Sequence, residues 1–125
     1  MRALVIDDST AMRSILARML RELGFEVLEA GNGREAIDRL ETSGGVDLAL
    51  VDWNMPEMDG LEFVRRVRAE GAPGGIRLVM VTSEVEAGRM ALALAEGADE
   101  YVMKPFNRQV LEEKLGLLGL LASGA

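Results

Sequence analysis

Short apolar runs alternate along this chain with segments whose apolar residues recur every three or four positions, and the alternation happens five times. Strands that alternate with helical patterns imply βαβ units and a parallel sheet. The first run covers residues 3–6, and Ser9 or Thr10 can cap a helix whose apolar face reads Met12, Ile15, Leu16, Met19, Leu20, Leu23. Gly24 suits the left-handed position after that helix. Val27-Leu28 marks a second strand, Gly31-Asn32-Gly33 a turn, and Ala36, Ile37 and Leu40 a short helix ending at Gly44-Gly45. The third run, residues 48–52, is apolar on both faces, as a central parallel strand should be. Pro56, Asp59 and Gly60 mark a loop before a helix with Leu61, Val64 and Val67 inward and Arg65, Arg66 and Arg68 outward.

Residues 72–75 read as a connecting loop and residues 76–82 as the fourth strand. A fourth helix over 86–96 is apolar all round from Met90 to Ala95, so periodicity does not choose its buried side. Tyr101-Val102-Met103 is the fifth strand, and Val110, Leu111, Leu115, Leu118 and Leu121 line a final helix. The apolar tail over 117–121 reads first as core packing and second as a dimer or docking face. No sequence repeat, low-complexity tract or second domain is evident, so residues 1–125 are expected to form one domain with no output domain.

Composition narrows the chemistry. A chain of 125 residues fits one domain, large enough to bury roughly two-thirds of its unfolded surface. The net charge of −7 argues against nucleic acid as the main partner and suits a cation or a basic protein surface. There is no cysteine and no histidine, which removes thiolate chemistry, cysteine-held metals and the commonest neutral-pH acid–base group. Any phosphohistidine in its chemistry therefore belongs to a partner. No segment approaches the roughly 20 apolar residues of a membrane span, and no signal peptide is evident, so a cytoplasmic location without membrane insertion is expected.

Polar residues end the apolar runs in a consistent way. Leu4-Val5-Ile6 leads to Asp7-Asp8, the third run ends in Asp52, the fourth leads to Thr82-Ser83, and the fifth leads to Lys104-Pro105. In open α/β sheets, ligands bind outside the carboxyl ends of the strands. Neighbouring parallel strands would thus bring three carboxylates, a hydroxyl and an ammonium to one edge. Each like-charged pair near 4 Å costs on the order of 4 kcal/mol at an effective dielectric of about 20. The cluster must take up protons or recruit a cation. An all-oxygen site of this kind suits Mg²⁺, which can join a carboxylate to a phosphoryl oxygen. Lys104 adds a positive partner, Thr82 a hydroxyl donor, and Asp52 remains as a nucleophile able to form an acyl phosphate. Taken singly each element has a plainer reading, as a helix cap, a turn residue or a strand end. Their joint occurrence carries the signal.

At these residues the sequence resembles the receiver domains of two-component response regulators, over essentially its whole length. The matching features are Asp7-Asp8, Asp52, Asn54-Met55-Pro56 with Asp59-Gly60, Thr82-Ser83 and Lys104-Pro105-Phe106. The resemblance implies a doubly wound, flavodoxin-like fold of five parallel strands in the order 2-1-3-4-5 with five helices. It implies that Asp52 accepts a phosphoryl group from the phosphohistidine of a sensor histidine kinase. Asp8, Asp52 and the Asn54 backbone carbonyl would hold Mg²⁺, with Asp7 helping through water, and Lys104-Pro105 would be cis. Thr82 and Tyr101 would form a switch pair that repacks the face of the fourth helix, fifth strand and fifth helix.

The likeness is strongest to stand-alone chemotaxis receivers, through Asp52-Trp53-Asn54-Met55-Pro56 and Glu84 two residues past Thr82. By that likeness Asn54 and Glu84 tune dephosphorylation, and Val85, Met90, Tyr101 and Lys114 lie on the partner surface. The implied partner is a downstream protein, with the flagellar motor switch as the leading case and a phosphorelay or another target as the runner-up. The implied protein is not an enzyme beyond its own phosphorylation and dephosphorylation. An aspartate-nucleophile phosphatase of the haloacid dehalogenase type would usually carry a second acid where this chain has Asn54. A flavodoxin-like cofactor binder would have its phosphate repelled by Asp7-Asp8.

Overall fold

The five apolar runs are strands, and the chain threads them with helices in strict alternation. The order is β1 (Arg2–Ile6), α1 (Thr10–Glu22), β2 (Glu26–Ala30), α2 (Gly33–Thr42), β3 (Leu48–Asp52), α3 (Gly60–Ala69), β4 (Arg77–Thr82), α4 (Met90–Glu96), β5 (Glu100–Met103) and α5 (Arg108–Leu117). The structure, a computed structural model, describes residues 1–53, 55, 57–69, 75–83 and 89–120. The strands form one parallel sheet in the order β2-β1-β3-β4-β5, the order that the resemblance implies. From β1 the chain first winds outward to β2 and then returns to β3 on the other side. That reversal makes the β1/β3 border the point where a ligand crevice forms.

Side chains alternate along each strand, so each face of the sheet carries its own core. Leu4, Ile6, Ala49, Val51, Leu78 and Met80 pack beneath α2, α3 and α4. Ala3, Val5, Leu48, Leu50, Val79, Val81 and Val102 pack beneath α1 and α5. β3 is buried along its whole length, as expected of a strand covered on both sides.

Ser9 caps α1, its hydroxyl accepting from the Met12 amide at 3.2 Å, and Gly24 follows in the left-handed region at φ +97°. The buried stripe of α1 is narrower than expected: Leu16, Ala17 and Leu20 are buried, whereas Ile15 is 50% exposed. Ile15 sits about 100° around the helix from Leu16, far enough to leave the sheet. At the expected turn Gly31-Asn32-Gly33 the chain bends at Gly31 and Asn32, and Gly33 opens α2, which Asn32 caps by accepting from the Glu35 amide at 2.8 Å.

The ambiguity of α4 is settled by packing. Met90 and Ala93 face the core, while Leu92 and Leu94 are exposed. The part of that helix expected before residue 89 lies outside the described residues, as does most of the 72–75 loop. Arg65 and Arg66 point outward, but Arg68 is tied down. Its Nε donates to the Gly97 carbonyl at 2.9 Å and its Nη2 to Asp99 at 2.6 Å, joining α3 to the turn before β5. In α5, Leu111 and Leu115 are buried but Val110 is exposed. The tail divides: Leu118 and Leu120 pack against the α1/α5 core, Leu117 points to solvent, and Leu121 is outside the described residues.

Candidate functional site

The register of the sheet decides which polar side chains meet. Ile6 pairs with Val51, which sets Asp7 beside Asp52. Asp52 pairs with Val81, so Thr82 follows one residue further on, and Thr82 pairs with Met103, immediately before Lys104. The Lys104 amide donates to the Thr82 carbonyl at 2.7 Å, extending the ladder to the edge. Carboxylate oxygens of Asp7, Asp8 and Asp52 all lie within 4.8 Å of one another. The Lys104 ammonium is 3.2 Å from Asp52 Oδ1 and 3.8 Å from Asp7 Oδ2. The Lys104–Pro105 bond is cis.

Asp7 is held on several sides. Its amide donates to the Ala30 carbonyl at 3.1 Å, and its Oδ1 accepts from the Ser9 amide at 2.8 Å. Its Oδ2 is buried without a hydrogen-bond partner. Asp7 and Asp52 are both buried, whereas Asp8 is exposed at the rim. Burial, reinforced by the charge of Asp7 and to a smaller extent that of Asp8, pushes the Asp52 carboxyl up to about 6; Lys104 pulls the other way by charge and hydrogen bond.

Three carboxylates against one ammonium leave two negative charges uncompensated when all are ionised. A divalent cation supplies that balance, the donors are all oxygen, and the buried Asp7 Oδ2, with Lys104 at 3.8 Å, has no hydrogen-bond partner among the described residues. The residues present therefore fit Mg²⁺. Asp7→Asn should raise the melting temperature of the Mg²⁺-free protein by removing one buried like charge, while weakening Mg²⁺ binding at least tenfold. Thermal melts with and without Mg²⁺ check both halves, and a lower melting temperature without metal contradicts the repulsion.

Thr82 is buried at the end of β4, with its hydroxyl 3.3 Å from the Ser83 carbonyl. Tyr101 does not reach the carboxylates. It pairs with Met80, packs half-buried against the core of α4, and carries the Lys114 ammonium 4.9 Å above its ring. Lys114 also pairs with Glu100 at 3.4 Å. Met90, which the resemblance assigns to the partner surface, is 5% exposed and packs in the core. Its helical position faces the sheet, so the exposed α4 side chains are Leu92 and Leu94. Asn54, Pro56, Glu84 and Val85 lie outside the described residues.

Two features of the site escaped the sequence reading. Gly60, read as a loop marker, brings α3 against the acceptor strand: its amide donates to the Trp53 carbonyl at 3.0 Å, and a Cβ there would stand 2.6 Å from the Asp52 carbonyl oxygen. Arg89 stacks its guanidinium 4.6 Å from the centre of the buried Trp53 ring, linking the start of α4 to the residue after Asp52. The Arg89 contact has no local signal because Trp53 is distant in the chain, and the Gly60 contact closes the loop back onto the end of β3, which residue type alone does not reveal.

The comparisons with known proteins agree with this geometry. The model of the response regulator receiver domain matches residues 3–116. The chain is similar to chemotaxis protein CheY1 of Helicobacter pylori, 44% identical over 92% of this chain and 94% of that protein. It is also similar to a chemotaxis protein CheY homolog of Campylobacter jejuni, 47% identical over 92% of this chain and 89% of that protein. Among solved structures, chemotaxis protein CheY4 of Vibrio cholerae superposes with a TM-score of 0.84 at 33% identity, covering 93% of this chain and 96% of that one. With the receiver model matched from the first strand into the last helix, and relatives of this identity spanning nearly the whole length, the chain belongs to the response regulator receiver family.

Proposed function

We propose that Asp52 is the phospho-acceptor of a chemotaxis receiver, loaded by a histidine kinase and read out at the face of α4, β5 and α5. The observation that carries this reading is the juxtaposition of Asp7, Asp8 and Asp52 within 4.8 Å, with the Lys104 ammonium 3.2 Å from Asp52. A receiver of this family is a signalling domain and not a classical enzyme. The chemotaxis assignment draws on the relatives that bear that name. Among the described residues no helix is long and apolar enough to cross a membrane, which agrees with action in the cytoplasm.

In the proposed reaction a carboxylate oxygen of Asp52 attacks the phosphorus of a partner's phosphohistidine. The P–N bond breaks, its electron pair leaves with the imidazole nitrogen, and an acyl phosphate forms on Asp52. Asp8, Asp52 and the Asn54 carbonyl would hold Mg²⁺, with Asp7 helping through water, and the ion would supply charge compensation for the transferring phosphoryl group. Lys104 pairs with one phosphoryl oxygen and the Thr82 hydroxyl donates to another. Hydrolysis breaks the phosphorus–oxygen bond to Asp52 by attack of water on phosphorus, and the resemblance implies that Asn54 and Glu84 tune its rate.

The added dianion then draws Thr82 toward the edge, and Tyr101 turns into the space it leaves. Tyr101 packs against the α4 core and under Lys114, so its movement alters the surface around Tyr101 and Lys114, to which Leu92 and Leu94 add exposed apolar area; the resemblance assigns Val85 to the same partner face. That surface meets the downstream target, for which the flagellar motor switch is the leading candidate.

Phosphotransfer tests the reading. A histidine kinase carrying radiolabelled phosphohistidine should pass its label to the wild-type chain within a Mg²⁺-dependent reaction, and pass none to Asp52→Asn. Label appearing on the variant at the wild-type rate overturns the assignment.

A further inference from the structure

The turn that carries Asp7 and Asp8 is gripped by a side chain that none of the site chemistry uses. Arg13, in the first turns of α1, donates from Nη1 to the Asp7 backbone carbonyl at 2.8 Å. Its Nε donates to Glu29 Oε1 on β2 at 3.2 Å, and the side chain is only 19% exposed. One planar guanidinium therefore bridges the end of β1 to the neighbouring strand, with two donors fixed in relative direction. Its contact with the acidic turn is to a backbone carbonyl and not to a carboxylate, so Arg13 contributes geometry to the cluster more than charge compensation.

The cluster needs such a brace. Three carboxylates within 4.8 Å repel one another, and Asp8 sits at the exposed rim of the turn, where that repulsion meets least packing resistance. The Ser9 amide fixes the Asp7 carboxylate, and Arg13 fixes the carbonyl of the same residue. Both ends of Asp7 are thereby set before a cation arrives. We propose that Arg13, anchored by Glu29, is a positioning residue that holds the Asp7–Asp8 turn in its cation-binding geometry. This inference rests on the Mg²⁺ reading above.

Arg21 provides a matched control: it pairs with the other oxygen of the same Glu29 at 3.7 Å from a position about two turns further along α1, away from the Asp7–Asp8 turn. Calorimetric Mg²⁺ titrations of the intact chain should show affinity reduced about tenfold or more in Arg13→Gln and unchanged in Arg21→Gln. Arg13→Lys, which keeps the charge but not the two-pronged bridge, should fall between them and serves in place of Arg13→Gln if that variant does not fold. Phosphorylation of Arg13→Gln by acetyl phosphate should need more Mg²⁺ for half-maximal rate while reaching the wild-type maximum at saturation. Wild-type affinity in Arg13→Gln, or an equal loss in Arg21→Gln, overturns the role of Arg13 and leaves the metal site standing. A wild-type chain that binds no Mg²⁺ overturns the metal reading and this inference with it.

Discussion

Asp52→Asn should melt at a higher temperature than the wild type at pH 8 without Mg²⁺, should keep about half of that advantage at pH 5, and should lose most of it at pH 4. Burial and the neighbouring carboxylates raise Asp52 from 3.8 to about 6 in the folded chain. The fold thus favours the protonated carboxyl, so the contribution of Asp52 to stability is fully present below pH 4 and is lost as pH rises through 6. A difference of this size corresponds to stability on the order of 2–3 kcal/mol between the two ends of that window. Asparagine imitates the neutral carboxyl at every pH, so the gap between variant and wild type opens between about pH 4 and 6, where the unfolded carboxyl is ionised while the native one is still protonated. Mg²⁺ should close the gap again by stabilising the wild type alone. Melting curves at pH 4, 5, 6 and 8 measure it, and a gap independent of pH contradicts the crowded, like-charged environment described for Asp52.

Gly60→Ala is the second change with a large expected effect. The new Cβ would stand 2.6 Å from the Asp52 carbonyl oxygen and 3.1 Å from the Trp53 Cα, both backbone atoms of the acceptor segment. The 2.9 Å approach to the Met80 Cε is relieved by a side-chain rotation, but the backbone contacts require α3 or the end of β3 to move. A loss of about 2 kcal/mol is expected, which lowers the melting temperature by roughly 6–10 °C for a domain this size. Because the displaced atoms belong to Asp52, phosphoryl acceptance should slow as well. Gly116→Ala is the control: its Cβ meets nothing within 4 Å in α5, so stability should hold or rise. Equal melting temperatures for Gly60→Ala and wild type contradict the close approach.

The parts of this molecule legible in the sequence are those that follow from periodicity and strand ends. Buried parallel strands read as continuous apolar runs, which placed β3 at the centre; the polar residue ending each run necessarily falls at the same edge. Asp7, Asp8, Asp52, Thr82 and Lys104 were accessible by that route alone. What escaped depended on which neighbour an element packs against. Met90 and Leu92 are equally apolar, and only the docking of α4 on the sheet buries one and exposes the other. Ile15 outranks Ala17 in hydrophobicity, yet the small residue lies where α1 approaches the sheet. Arg68 reads as a solvent-facing charge until Gly97 and Asp99 are brought beneath it by β5. The reach of Arg13 to Asp7 spans a single helix start, but nothing in the residue types distinguishes it from the exposed Arg18 one turn along.

The central claim is that a divalent cation, trapped by carboxylates at the border of β1 and β3, lets Asp52 take up a phosphoryl group. Intact-mass measurement after incubation with acetyl phosphate tests it most directly, with Mg²⁺ present or chelated, on wild type and Asp52→Asn. The account predicts a gain of one phosphoryl group in the wild type with Mg²⁺ and none in the other three conditions. An equal gain with the metal chelated, or in Asp52→Asn, contradicts it.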